Sequence, residues 1–239
     1  MSKKVINQNS NYESELLNSI EKNFLFSEKP INRLIEKSTP PKEENINKEE
    51  QLEILKQEID SIKDCSLKNY SKKLILGDGN INSPIMIIGE APGAEESKFG
   101  KTFMGEVGEL LKKMLIAINI KKENIYSTYA VNFRPPEDRK PTSLEIKRYS
   151  LHLQKHISII RPKIIVLMGG TAMEALTGLN TKVSIERGKW KEVIIKNTNY
   201  SVIITFNPSY LLRISENKKY SWDDLKKIKK KIKDLDLKI

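Results

Sequence analysis

The sequence predicts an α/β protein, a three-layer α/β/α sandwich around a central, mainly parallel sheet of four strands. Two observations carry this prediction. Short apolar segments that end in turn residues alternate with longer segments whose apolar residues recur at helical spacing. The short segments also lack the polar alternation of a half-exposed strand, as expected where helices cover both faces of a parallel sheet.

The elements follow one another in a regular order. An amphipathic helix over 48–62 precedes the sheet. The predicted strands are 84–88, 125–131, 163–168 and 200–205, and the helices that follow them are 107–118, 143–160, 171–176 and 221–233. Ligands of such sheets bind at the carboxyl ends of the strands, so we expect loops 89–106, 132–142 and 206–213 to form one site.

Composition divides the chain into two parts. Residues 1–50 are rich in Asn, Lys, Glu and Ser, which predicts a disordered or loosely docked N-terminal extension before one compact domain at 51–239. No segment approaches the roughly 20 apolar residues of a membrane span. The first residues also lack an apolar stretch of signal-peptide length, so we expect a monomer in the cytoplasm without membrane contact.

Charge and cysteine content limit the classes of function. The formal net charge of +11 would attract a polyanion such as DNA or RNA, but Lys is abundant throughout the chain and the charge alone does not decide the matter. The single cysteine, Cys65, excludes an internal disulfide and is expected to be a small buried side chain. With only His152 and His156 beside it, no zinc-site spacing is present.

A glycine-rich loop follows the first predicted strand. On its own, Gly89-Glu90-Ala91-Pro92-Gly93 is typical of a generic strand-to-helix turn or a phosphate cradle. Together with Gly100-Lys101-Thr102-Phe103-Met104-Gly105, however, it resembles the first motif block of the family 4 uracil-DNA glycosylases. Further blocks at 134–142, 161–172, 187–190 and 208–213 agree in order and spacing, and the resemblance covers about residues 60 to 231.

The resemblance implies a monofunctional enzyme that flips uracil out of DNA and hydrolyses its N-glycosidic bond, starting base-excision repair. Uracil can leave as an anion when donors meet its oxygens, and the oxocarbenium-like sugar gains from nearby negative charge. The alternative is a degenerate glycosylase fold that binds damaged or single-stranded DNA without cutting it. A small-nucleotide enzyme is disfavoured because no P-loop lysine or ribose-binding acid follows the Gly89 turn.

The resemblance also implies roles for individual residues. The catalytic candidates are Glu90, Glu96 and Asn207, and the substrate-binding candidates are Ala91, Phe103, Tyr129 and Asn132. The DNA-binding candidates are Lys101, Arg134, Lys189, Tyr210, Leu211, Leu212 and Arg213, with Lys98 and Arg139 as further cations on the same loops. Without the resemblance, solvated loop carboxylates and a Phe103 packed in the core are the favoured interpretations, and a core position of the leucines is nearly as well supported as a DNA contact.

Two positions depart from the family pattern. Asn207 stands where the family usually has a histidine that donates to uracil O2, and an asparagine still offers donors. Tyr129 stands where an asparagine usually reads the uracil edge, and Asn132 is the candidate substitute. Both departures favour the binding module, and their effect on activity stays open. The sequence also leaves open the preference for single or double strands and the acceptance of other deaminated bases.

A third departure concerns the iron-sulfur cluster of typical family members, which four cysteines hold. This chain has Ile62, Phe133 and Tyr149 at three of those positions and keeps only Cys65. One thiolate cannot hold a cluster that needs four ligands, so we expect neither cluster nor metal. Apolar packing by Phe133 and Tyr149 is expected to replace its structural role.

Overall fold

A computed structural model describes residues 47–239 except 64 and 72. Its sheet contains six strands in the order β1-β3-β2-β4-β6-β5. The strands are β1 (Gly77–Gly79), β2 (Ile85–Gly89), β3 (Tyr126–Tyr129), β4 (Ile164–Met168), β5 (Trp190–Ile195) and β6 (Thr198–Thr205). The inner strands β3, β2, β4 and β6 are parallel, whereas β1 pairs antiparallel with β3 and β5 pairs antiparallel with β6.

The predicted α/β fold is therefore confirmed, but the prediction of four strands was wrong. The inner four strands are those that the apolar segments predicted. The two missed strands lie at the sheet edges, where one side of a strand has no neighbour and the apolar signature is weak. Strand β1 consists of Gly-Asp-Gly, a sequence typical of a turn, and β5 has mostly half-exposed or exposed side chains.

Helices cover both faces of the sheet. They are α1 (Lys48–Asp60), α2 (Ser66–Tyr70), α3 (Ala94–Phe99), α4 (Gly105–Ile116), α5 (Ser143–Ile160), α6 (Gly170–Thr177), α7 (Val183–Glu186), α8 (Pro208–Arg213) and α9 (Lys218–Asp234). Alternate residues of β2 face opposite layers: Met86 and Ile88 pack with α1, α5 and α6, while Ile85 and Ile87 pack with α4 and α9. This alternation produces the three layers, because successive side chains of a strand point to opposite faces.

Residues 1–46 lie outside the described part of the chain, so the N-terminal extension stays a prediction. The described part opens with α1, whose first turn is capped by the Asn47 side chain accepting from the Glu50 amide at 2.8 Å. The Lys48 ammonium donates to the Ile81 and Ile160 carbonyls, which fixes the start of α1 on the domain. Among the described helices, none is long and apolar enough to cross a membrane.

Candidate active site

A cleft of about 1000 Å³ opens at the carboxyl ends of the inner strands. The three predicted loops all contribute to its walls, through residues 90–96, 103–106, 135, 138–141, 206–207, 209–210 and 212–213. Two further segments line it: residues 169–171 after β4, which lie in the motif block 161–172 but were not named as site residues, and residues 181–184 at the start of α7, which no motif block covers. The cleft therefore lies where a parallel sheet is expected to bind its ligand.

The Glu90 carboxylate is fixed in this cleft from two sides. Its Oε1 accepts the Thr171 amide at 3.0 Å, and its Oε2 accepts the Asn207 side-chain amide at 3.1 Å. Thr171 belongs to the first turn of α6, where the helix dipole favours a negative charge. At Gly169, with φ +103°, an added Cβ would lie 2.5 Å from Glu90 Cδ. The absence of a side chain at this position therefore makes room for the Glu90 carboxylate.

The two ends of the Asn207 carboxamide have different roles: the oxygen caps a helix and the nitrogen faces Glu90. Its Oδ1 accepts the Ser209 amide at 3.0 Å and caps the N-terminus of α8. The cap fixes which end of the carboxamide faces Glu90, since the oxygen is engaged with α8 and the nitrogen points the other way. The amide nitrogen carries two protons and gives one to Glu90, which leaves the second for a ligand oxygen.

Glu96, the second acidic candidate, connects two loops. Its Oε2 accepts the Gly93 amide and its Oε1 accepts the Met104 amide, both at 2.9 Å, and only 6% of the residue is exposed. Both carboxylate oxygens are therefore already engaged with backbone. These contacts tie the loop after β2 to the turn that carries Phe103.

Phe103 and Tyr129 form an aromatic pair in the cleft wall. Their ring centroids are 5.1 Å apart, and the Tyr129 hydroxyl accepts the Phe103 amide at 2.8 Å. Burial raises the pKa of Tyr129 well above its ordinary value, so the phenol stays neutral. Gly89 allows this packing, because an added Cβ would lie 2.7 Å from the Tyr129 ring.

Asn132 is turned away from the cleft. The residue is 4% exposed, and its side-chain amide donates to the Ile75 carbonyl at 2.9 Å. It is not among the residues that line the cleft, whereas Ala91 is. The contacts of Asn132 therefore do not support its role as a substitute for the edge-reading asparagine.

Comparison with known proteins identifies the family. The model of the uracil DNA glycosylase superfamily matches residues 76–229. The chain belongs to this superfamily. It is 35% identical to the type-4 uracil-DNA glycosylase of Thermotoga maritima over 188 residues, which cover 78% of this chain and 97% of that protein. It is 32% identical to the type-4 enzyme of Archaeoglobus fulgidus, with 75% of this chain and 92% of that protein covered.

The superfamily likeness extends to a more distant type. The type-5 uracil-DNA glycosylase of Pyrobaculum aerophilum is 25% identical over 150 residues, which cover 56% of this chain and 64% of that protein. The type-4 matches confirm the resemblance that the motif blocks predicted.

The DNA-binding candidates of this superfamily member divide into three groups. Tyr210, Leu212 and Arg213 line the cleft, and Leu212 is 39% exposed. Leu211 is 1% exposed and packs in the core beneath α8, so its side chain is not placed to enter a base stack. Four of the five other predicted cations are not among the residues that line the cleft; they are Lys98, Lys101, Lys189 and Arg134, the last of which also binds Asp138 at 2.7 Å.

Two exposed lysines line the cleft although the sequence did not single them out. Lys140 comes from the predicted loop 132–142, and Lys182 comes from the segment before α7. Arg139, which also lines the cleft, is engaged by Glu145 at 2.7 Å. Lys140 lay within a motif block and could have been named from its charge, whereas only the fold brings Lys182 to the cleft.

The residues of this chain do not fit the iron-sulfur cluster that the family 4 resemblance implies. Cys65 is the only cysteine in the sequence, and its sulfur lies 3.2 Å from the Tyr149 hydroxyl. Phe133 packs edge-on against Tyr149 with ring centroids 6.4 Å apart, and Ile62 packs against the same core cluster. Within the described ranges, no group of three or more His, Cys, Asp or Glu could hold a metal ion.

Proposed function

We propose that this protein is a monofunctional uracil-DNA glycosylase that hydrolyses the N-glycosidic bond of uracil in DNA and so starts base-excision repair. The observation that carries the proposal is the Glu90–Asn207 pair. A carboxylate held at a helix N-terminus and an amide donor 3.1 Å from it stand together in a cleft beside a buried aromatic ring. The names and the coverage of the type-4 relatives support the same activity.

Each of these groups has a part in the proposed reaction. The free N–H of Asn207 meets an oxygen of the flipped uracil and stabilises the negative charge that develops as the base leaves. Glu90 stabilises the oxocarbenium-like sugar and orients the attacking water. Phe103 stacks on the base, and the Ala91 amide donates to it. No covalent protein nucleophile is required.

Glu96 and Tyr129 support this site from behind. Glu96 holds the loop after β2 against the Phe103 turn through two backbone amides, so we propose that it positions these loops. Tyr129 holds the Phe103 amide and forms part of the cleft wall, and we propose that it packs against the base without reading its edge.

DNA is proposed to run across the mouth of the cleft. Lys140, Lys182 and Arg213 would neutralise phosphates, and Leu212 beside Tyr210 would fill the gap that the flipped base leaves. Lys101, Arg134 and Lys189 would add to the attraction at longer range. One chain supplies the whole cleft, so we propose a monomer. Because its substrate is DNA, we propose that it acts in the cytoplasm. We further propose that it works without a metal or redox cofactor.

Strand scission tests the proposed activity. The protein is incubated with an oligonucleotide that contains one uracil, the product is treated with alkali, and scission is expected at the uracil position. Scission should disappear in Glu90→Gln and persist in Glu109→Gln, a matched change at an exposed position of α4. Intact DNA that is still shifted in a gel would instead support the alternative, a glycosylase fold that binds damaged or single-stranded DNA without cutting it.

A further inference from the structure

The turn that carries Phe103 is held in a conformation that side chains rarely adopt. Phe103 has φ +49°, in the left-handed region where a bulky residue is an outlier. Such a backbone persists only where its surroundings fix it. Phe103 lines the cleft although only 1% of the residue is exposed, so the turn determines where the proposed stacking surface lies.

Asp78 holds this turn from outside the cleft. The residue lies on the edge strand β1 and is not among those that line the cleft. Its Oδ2 accepts the Thr102 amide at 2.9 Å, and its Oδ1 accepts the Thr102 hydroxyl at 2.7 Å. The Ser127 hydroxyl of β3 donates to the same Oδ1 at 3.1 Å and also lies 2.5 Å from the Thr102 hydroxyl.

Two further side chains hold the remaining polar groups of the turn. The Lys122 ammonium donates to the Thr102 carbonyl at 3.3 Å and to the Phe103 carbonyl at 3.1 Å. The Tyr129 hydroxyl accepts the Phe103 amide at 2.8 Å. Both amides and both carbonyls of the turn are thus bonded to side chains, and Asp78 supplies the charged acceptor.

We propose that Asp78 is a positioning residue for uracil excision: through Thr102 it holds the left-handed Phe103 turn and so fixes the ring against which the flipped base stacks. Hydrogen bonds to an ionised acceptor are about twice as strong as neutral ones, so a carboxylate is well suited to hold Thr102, the residue that precedes the strained Phe103. The proposal rests on the proposed glycosylase activity for its consequence. The holding of the turn itself can be measured without activity.

Hydrogen exchange tests the holding of the turn. In Asp78→Asn, the peptide over residues 100–106 should exchange about tenfold faster or more, because the Thr102 amide loses a charged acceptor. The peptide over β4 should not change. Asp223→Asn, which removes an exposed carboxylate paired with Lys226 on α9, is the matched control and should leave both peptides unchanged. Unaltered exchange over 100–106, or equal acceleration over β4, would overturn the proposal.

Binding tests the consequence for the base. Two oligonucleotides are compared, one with uncleavable 2′-fluoro-2′-deoxyuridine and one with a tetrahydrofuran abasic analogue at the same position. Asp78→Asn should weaken binding of the first about 10- to 100-fold and leave the second unchanged. Excision under single-turnover conditions should slow by a similar factor. Equal weakening of both oligonucleotides would show a merely structural role and refute the assignment.

Thr102 provides a second route in case Asp78→Asn does not fold. Thr102→Ser keeps the hydroxyl and should behave as the wild type, whereas Thr102→Val should show the faster exchange and the weaker binding of the uracil analogue. Identical behaviour of the two variants would contradict the proposal. If the wild-type protein leaves uracil in place while the exchange results hold, the proposed function fails and the turn assignment stands.

Discussion

Substitution of Asn207 separates the two roles of its carboxamide. Asn207→Ala removes both the acceptor for the Ser209 amide and the donor to Glu90. Asn207→Asp keeps an oxygen that can accept the Ser209 amide. In place of the amide nitrogen, which lies 3.1 Å from the Glu90 carboxylate in the wild type, it puts a second carboxylate oxygen. The first variant therefore loses cap and donor together, and the second loses the donor alone.

The contacts give the expected magnitudes. Loss of an N-cap costs about 1 kcal/mol, which lowers the Tm of a domain of this size by about 2–4 °C. Loss of one donor that stabilises a developing oxyanion costs about 100-fold or more in kcat. Asn207→Ala should show both losses. Asn207→Asp should show a loss of kcat at least as large, because a like charge replaces the donor.

The pH dependence of Asn207→Asp has a definite sign. Repulsion from Glu90 raises the pKa of the introduced carboxyl in the folded state above its value in the unfolded chain. As the pH falls through this raised value, the carboxyl takes up a proton, the repulsion disappears and an O–H donor is restored. Both excision rate and stability of Asn207→Asp, relative to wild type, should therefore increase as the pH falls from neutral.

Single-turnover excision and thermal denaturation, each measured across pH, check these expectations. Asn199→Ala, at an exposed position near the start of β6, is the control and should change neither quantity. Wild-type turnover of Asn207→Asp at neutral pH would refute the donor role. A relative rate that rises with pH would refute the interaction with Glu90.

Three further outcomes follow from side chains outside the Glu90–Asn207 pair. Leu211→Ala should lower the free energy of unfolding by about 2–5 kcal/mol in urea melts, because Leu211 is 1% exposed. Leu212→Ala should keep the wild-type stability and slow excision from duplex DNA. If Leu212→Ala were the destabilised variant and Leu211→Ala the slow one, the placement of α8 would be contradicted. Burial lowers the pKa of His156 from 6.5 to about 3, so wild-type stability should decline as the pH falls from 6.5 toward 3, and melts of His156→Gln should lose this part of the slope. Arg187→Ala leaves Asp224, which is 0% exposed, without its partner at 2.6 Å and should lower the free energy of unfolding by about 3 kcal/mol or more. The double variant Arg187→Ala/Asp224→Asn should recover part of this loss. Equal urea midpoints for wild type and Arg187→Ala would contradict the prediction.

The fold was predictable where the sequence pattern follows burial. The inner strands are buried on both faces and appear as continuous apolar segments, so β2, β3, β4 and β6 were found within a few residues of their ends. Strand β1 depends on pairing with β3 and contains two glycines, and β5 depends on pairing with β6. Nothing local distinguishes β1 from a turn, because its partner is distant in sequence, whereas β5 forms a hairpin with the adjacent β6 and was missed because most of its side chains are half-exposed or exposed.

The candidate site was predictable only in part for a related reason. Motif blocks identified Glu90, Phe103 and Asn207, which line one cleft. The block at 161–172 contains Gly169 but did not mark it as a site residue, because its role arises from the end of β4 lying beside the Glu90 side chain. The motif blocks also treated Leu211 and Leu212 alike, since the direction of each side chain depends on how the short helix α8 packs against the core.

The two departures from the family pattern can be understood from the backbone groups that they bind. The Tyr129 hydroxyl oxygen accepts the Phe103 amide, and the Asn207 carboxamide oxygen accepts the Ser209 amide. Tyr129 and Asn207 therefore each order a loop of the cleft and also line the cleft themselves. Gly169 leaves room for the Glu90 carboxylate, which lies 3.0 Å from the Thr171 amide. DNA binding alone would not require a carboxylate at this place. The tight packing around Glu90 thus favours the enzyme over the binding module, in spite of both departures.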